Sequence, residues 1–304
     1  MSSMTQLLQG DTALRGWFEA EFPQAADRLQ PDPPPRRVVP MRRPWQVPPW
    51  LIGMAFDWRL RLGLEAPRVE GSTAEAGWWH LEAVTSSRQG FAEGGGYFGP
   101  SPSPVHRLVE VATQARGGHG QPRDEEPLAR AALSLAAYET CYRQGVAPDD
   151  PLVDVRSDTA VDRMLAGWEA SAVDDLLRLM AAARGGLREL FPAAVMDLNP
   201  TFGGRETVGA DGDLIVDGCL IDLKTVSRPE IKREWVWQQV GYLLLDGGRR
   251  QIGQVGFYLS RHARLLLWPV PEFVAVAADR PVLLDELADG FAAALARDLP
   301  TRGC

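Results

Sequence analysis

The 304-residue sequence predicts an α/β chain, with helices through the first two-thirds and then a mixed sheet flanked by helices. Three observations carry this. Apolar residues recur at three- and four-residue spacing before residue 190, as in Leu128, Ala131, Ala132, Leu135 and Tyr138. Beyond Asn199-Pro200, short apolar runs separated by turn dipeptides read as strand, strand, helix, strand, strand, helix. The first two of those strands form a hairpin over 213–226, turning at Asp217-Gly218, a dipeptide suited to positive φ.

Taken in order, residues 5–30 place Leu7, Leu8, Leu14, Trp17, Phe18 and Phe22 in a loose helical pattern. Residues 31–49 are a proline-rich connector carrying Arg36-Arg37 and Arg42-Arg43, extended because proline cannot continue a helix. From Trp50 the residues Leu51, Ile52, Ala55, Phe56 and Leu60 predict a helix. Residues 68–126 are too long for a simple connection and predict short helices near 76–86 and 104–116, with Gly-rich loops at 90–100 and 117–124. A strong helix follows over 127–144, ending near Gly145. One or two more span 158–189, with a break at Gly185-Gly186. This gives a mainly helical region, 1–195, followed by a core, 196–304.

In the core, a helix predicted from Pro229-Glu230 to about Leu245 ends at Asp246-Gly-Gly248. Val255-Gly-Phe-Tyr-Leu259 and Leu265-Leu-Leu-Trp268 read as a second strand pair through 260–264, and 282–299 as a closing helix. Within the hairpin, Leu214, Val216, Leu220 and Ile221 supply the buried texture, and three charged residues interrupt it. Asp222 and Lys224 stand two apart and project from one face; the hairpin brings Asp213 alongside. Two carboxylates and an amine gathered on a sheet face are costly unless they bind something, and a divalent cation suits oxygen ligands. In the following helix Gln238 and Tyr242 lie at i and i+4 and share a face.

Asp213, Asp222-Leu-Lys224 and Gln238-Gln-Val-Gly-Tyr242, in that order, resemble the core of the PD-(D/E)xK nuclease superfamily and the Gln-x-x-x-Tyr motif of its RecB-like branch. The resemblance covers roughly 199–268. It implies a restriction-endonuclease-like fold with a large helical N-terminal elaboration. The activity it implies is hydrolysis of DNA phosphodiester bonds, in repair, recombination or defence against foreign DNA. Asp213, Asp222 and the Leu223 carbonyl would hold Mg²⁺ or Mn²⁺, Lys224 would act on the attacking water, and Gln238 and Tyr242 would support the site. RecB-like nucleases often add a ligand from a preceding Gly-x-x-x-His helix; here Gly53-Met-Ala-Phe-Asp57 offers Asp57 instead, with Glu139 as the alternative. The alternative activity is a catalytically inactive or regulatory binding module that keeps the nuclease fold.

Composition narrows the classes. The net charge is −8, unlike a protein that coats nucleic acid indiscriminately. Residues 201–268 hold nine Lys/Arg against eight Asp/Glu, so they carry +1 and the remainder −9. Arg228, Lys232 and Arg233 are the nearest candidates to meet a substrate phosphate. Only two of the 32 basic residues are lysines, Lys224 and Lys232. In a chain that uses arginine almost everywhere, a lysine at the Asp-x-Lys position points to chemistry that a bulky, permanently charged guanidinium cannot do. Three cysteines exclude a multi-disulfide scaffold, and no iron–sulfur cluster is expected. No apolar run approaches the ~20 residues that span a bilayer, and the start has no secretion signal, so a cytoplasmic location is expected. No Walker A sequence occurs, so a helicase partner would be a separate chain.

Overall fold

The computed structural model describes residues 3–41, 47–64, 69, 71–88, 103–116, 124–147, 150–155, 157–187, 195–203 and 208–299. Arg42, Arg43 and the Gly-rich tracts at 90–100 and 117–124, except Asp124, lie outside the described residues. The chain divides into two compact units, Val39–Ala182 and a second made of the first 38 residues together with 183 onward. The division therefore differs from the expected 1–195 and 196–304.

The first unit is helical: α3 (Pro49–Leu64), α4 (Thr73–Arg88), α5 (Pro104–Arg116), α6 (Glu125–Gln144), α7 (Asp158–Gly167) and most of α8 (Ala170–Gly186). Helix α6 is its axis, and α3, α4 and α5 all pack on it. It buries Leu128, Ala129, Ala132, Leu133 and Ala136, on more than one face. Its small residues permit such close neighbours. Helix α4 crosses it so tightly that a Cβ at Gly77 would stand 1.7 Å from the Tyr138 carbonyl oxygen. Asp124 caps α6 by accepting from Glu126 N, and Gly145 ends it at φ 84°.

The second unit holds a five-stranded mixed sheet flanked by helices. In it α1 (Met4–Gln9) and α2 (Ala13–Glu21) precede β1 (Met196–Leu198), β2 (Leu214–Val216) and β3 (Cys219–Lys224). Then come α9 (Arg233–Asp246), β4 (Gln254–Leu259), β5 (Arg264–Pro269), α10 (Val270–Ala278) and α11 (Leu284–Asp298). Strand order is β1-β2-β3-β4-β5. Only β3 and β4 pair in parallel, as a strand–helix–strand crossover through α9 requires; the other neighbours are antiparallel. Asp217 and Gly218 take φ 45° and 77°, the doubly left-handed turn the dipeptide predicted.

The first 38 residues join this unit for a packing reason. Strands alone cannot cover α9 and α11, and Met4, Leu8, Leu14, Phe18 and Phe22 bury against Trp237, Val240 and Phe291 in one core. Phe18 stacks on Trp237 at 5.9 Å, and Trp17 meets Phe291 edge-on at 5.7 Å. Three further differences from the sequence reading are local. Strand β1, three residues long, adds a strand before the expected hairpin, and α10 lies in what was read as a connection. Helix α9 starts at Arg233, not Pro229, because Gln30 holds the preceding segment extended. Its side chain accepts from Ile231 N at 3.0 Å and donates to Ile231 O at 2.8 Å, as a pairing strand would.

Candidate functional site

The site is built at the C-terminal end of β3. Extending the Leu214–Ile221 register by one residue sets Asp213 opposite Asp222. Asp213 Oδ2 accepts from the Leu223 backbone N–H at 2.6 Å, which fixes that carboxylate across the hairpin. Asp222 is 5% exposed, and its Oδ2 lies 2.6 Å from Lys224 Nζ. Apart from that ammonium, Asp222 Oδ2 finds no donor among the described residues. Burial pushes the Asp222 carboxyl up to about 7; Lys224 opposes the rise, and the Asp213 charge beside it adds to it. A carboxylate held this way is short of positive charge.

Helix α9 supplies the second wall. Gln238 Nε2 donates to Tyr242 Oη at 2.6 Å, and Tyr242 Oη donates to the Asp211 carbonyl at 2.7 Å. The i, i+4 pair thus grips the segment that enters β2 just before Asp213. Phe202 stacks on the Tyr242 ring, centroids 4.8 Å apart and planes 11° apart. Burial and the Asp222 and Asp213 charges hold the Tyr242 phenol well above its ordinary range, so it stays a donor. Arg250 closes the far side, over the Phe202 ring at 4.9 Å and donating to Thr201 O at 2.9 Å.

Asp213, Asp222, Lys224, Gln238 and Tyr242 are therefore brought together. The three cations named from sequence fare differently. Arg228 is exposed. Arg233 pairs with Glu234 at 3.2 Å and Glu19 at 3.9 Å. Lys232 has no ion pair among the described residues, and its ammonium stands 5.8 Å from the Trp235 ring centroid. Asp57 and Glu139 belong to the helical unit. There Asp57 pairs with Arg61, and Glu139 accepts from Trp58 Nε1 at 2.7 Å and from Arg143 Nε at 2.5 Å. Both acids are thus engaged by cations of their own unit.

The N-terminal helices were not legible as part of the site. Met4 N donates to Gly209 O at 2.9 Å, and Gln238 Nε2 reaches Thr5 Oγ1 at 3.3 Å, so α1 lies beside the catalytic candidates. Trp235, over which Lys224 Nζ sits at 5.1 Å, was also missed. The available signal was its position three residues after Lys232 and before Gln238 on one helix.

Among the described residues no three His, Cys, Asp or Glu side chains gather as metal ligands. The pair Asp213–Asp222 is the carboxylate donor set at this place. It fits a hard divalent cation: both groups offer oxygen, the buried Asp222 Oδ2 has no donor among the described residues apart from Lys224, and that one ammonium faces two carboxylates. No family model matches the chain, nor does any curated protein or solved structure.

Proposed function

We propose that the chain is a divalent-metal-dependent nuclease that hydrolyses phosphodiester bonds of DNA, with its mixed sheet a version of the restriction-endonuclease-like core. One observation carries the reading: a buried Asp222 carboxyl, pushed up by burial, beside the half-buried Asp213 and with the Lys224 ammonium 2.6 Å away. Asp213, Asp222 and the Leu223 carbonyl would hold Mg²⁺ or Mn²⁺. Such an ion supplies charge neutralisation at the phosphate and makes a nearby water more acidic.

The chain's own groups do the rest. Among the described residues Lys224 is the cation on the carboxylate pair, placed to orient the attacking water and to donate to the charge that builds on phosphate oxygen. Asp213 is held in register by Leu223 N–H and so keeps the pair together as substrate arrives. Gln238 and Tyr242 position the 211–213 segment. Asp57, already paired with Arg61, is not needed for this reading.

The test is incubation of the purified chain with linear and circular, single- and double-stranded DNA in Mg²⁺, Mn²⁺ or EDTA. Metal-dependent cleavage lost in Lys224→Ala and Asp213→Asn is expected. Binding without cleavage on every substrate would favour a non-catalytic module with this fold. That second reading draws on the two-carboxylate donor set, which is smaller than most enzymatic metal sites use.

A further inference from the structure

An open cleft of about 480 Å³ lies next to the carboxylate pair, lined by Thr5, Arg15, Lys224, Lys232, Trp235 and Gln238. It collects both lysines of the chain. Their ammonium groups stand 5.1 Å and 5.8 Å from the centre of the same indole ring, that of Trp235. Two ammonium groups at one ring repel each other, and the face of the indole offsets only part of that repulsion. Lys224 has Asp222 as a partner, whereas Lys232 is exposed and has no ion pair among the described residues. The acid at the cleft, Glu234, is taken by Arg233 at 3.2 Å. Arg15, from α2, also lines the cleft; its guanidinium holds Glu19 at 3.0 Å and donates to the Leu8 and Gln9 carbonyls at 3.4 and 3.3 Å. The cleft therefore lacks an anion, and it offers an aromatic face beside the place for one.

We propose that this cleft seats one unpaired nucleotide of a single-stranded DNA substrate, next to the phosphate that reacts at Asp213 and Asp222. Its phosphate lies between Lys232 and Arg15, and its base lies against Trp235. A stacking ring beside a basic groove is how sequence-tolerant single-strand binding is built. The size agrees, since pockets for small organic groups run about 300–1,000 Å³ and a paired, stacked base cannot leave its duplex to enter one without cost. The N-terminal helices thereby acquire a role, because α1 and α2 form the wall that a duplex would have to displace. Only the identity of the neighbouring phosphate rests on the nuclease reading; the binding does not.

The experiment is fluorescence anisotropy of a labelled oligothymidylate of ~12 nucleotides in EDTA, where nothing is cleaved, across a salt series. Trp235→Leu is expected to weaken binding about 5- to 150-fold, the range that ~1–3 kcal/mol per stacked base converts to. Lys232→Gln is expected to lower the slope of log K against log salt by about 0.7, one phosphate contact on a single strand. Unlabelled single strand should compete at least ~10-fold better than a blunt duplex of equal length. Lys232 is exposed, so its substitution leaves the fold intact and decides the case even if Trp235→Leu loosens the contact with Phe257. Unchanged binding and slope in Lys232→Gln, or equal competition by duplex, overturns the proposal. If binding shows these dependences but Mg²⁺ brings no cleavage, the cleft stands and the nuclease reading falls. If the wild type cleaves single strands and both variants cleave them equally well, the cleft assignment falls and the nuclease reading stands.

Discussion

Replacing Asp222 by Asn should stabilise the metal-free protein in alkali and leave it nearly unchanged in acid. The Asp222 carboxyl is pushed up to about 7 from an ordinary 3.8 by burial. Between those two values the folded state keeps a proton that the unfolded state has lost, so folding stability falls as pH rises through this window. At ~1.36 kcal/mol per unit the full penalty is about 4 kcal/mol above pH 7. Roughly two-thirds of it, ~3 kcal/mol, develops between pH 5 and pH 8.5. An asparagine amide reproduces the protonated acid, donating toward Asp213 without a charge to bury. The assay is guanidinium unfolding of wild type and Asp222→Asn in EDTA at the two pH values, extrapolated linearly to water. Other carboxylates titrate in both proteins and cancel in the difference. Saturating Mg²⁺ should restore wild-type stability at pH 8.5 and do nothing for the variant. A stability difference that stays constant within ~0.5 kcal/mol between the two pH values would refute the argument that Asp222 is held short of positive charge.

Four further outcomes are expected. Lys224→Ala should lower the rate of metal-dependent cleavage at least ~10²-fold, measured on linear DNA, and Lys224→Arg should not rescue it. Tyr242→Phe removes the donor to the Asp211 carbonyl, and loss of about 1–3 kcal/mol in chemical unfolding is expected. Gly256→Ala would set a Cβ 2.0 Å from the Leu266 carbonyl oxygen, forcing β4 and β5 apart, and circular dichroism should show a lowered melting temperature or failure to fold. Glu139→Gln should cost about 1–3 kcal/mol, because Arg143 and Arg61 lose a charged partner while Arg61 keeps Asp57. Burial raises the Glu139 carboxyl, but those two arginines hold it below its usual range. Its contribution is therefore present above the ordinary carboxylate pKa and is lost as pH falls, so the variant's deficit should shrink in acid.

The hairpin was legible because its signals are local. Asp217-Gly218 is a turn that favours positive φ at both residues, and the structure puts both there. The spacing of Asp222 and Lys224 sets them on one face, and that of Gln238 and Tyr242 on one helix stripe, whatever the rest of the chain does. The start of α9 was misread because its proline signal is local too, while the grip of Gln30 on Ile231 acts across 201 positions of sequence. Strand β1 has three half-buried residues and no alternation long enough to see. Asp57 shows the limit of spacing arguments. A glycine four residues before an acid on a helix is visible in the sequence, but its pairing with Arg61 is a matter of which side chains the helical unit buries together.

By itself the sequence determined that a hairpin presents two carboxylates and one lysine, followed by a helix with Gln238 and Tyr242 in step. Period and turn chemistry are properties of neighbouring residues, and they survive any choice of packing. Only the tertiary structure decided that α1 and α2 belong with the sheet, that Asp222 is buried enough to be raised to about 7, and that both lysines meet at Trp235. Those facts depend on which apolar faces cover one another. Many faces of equal hydrophobicity were on offer, and the choice among them was made by shape and close packing across the whole chain.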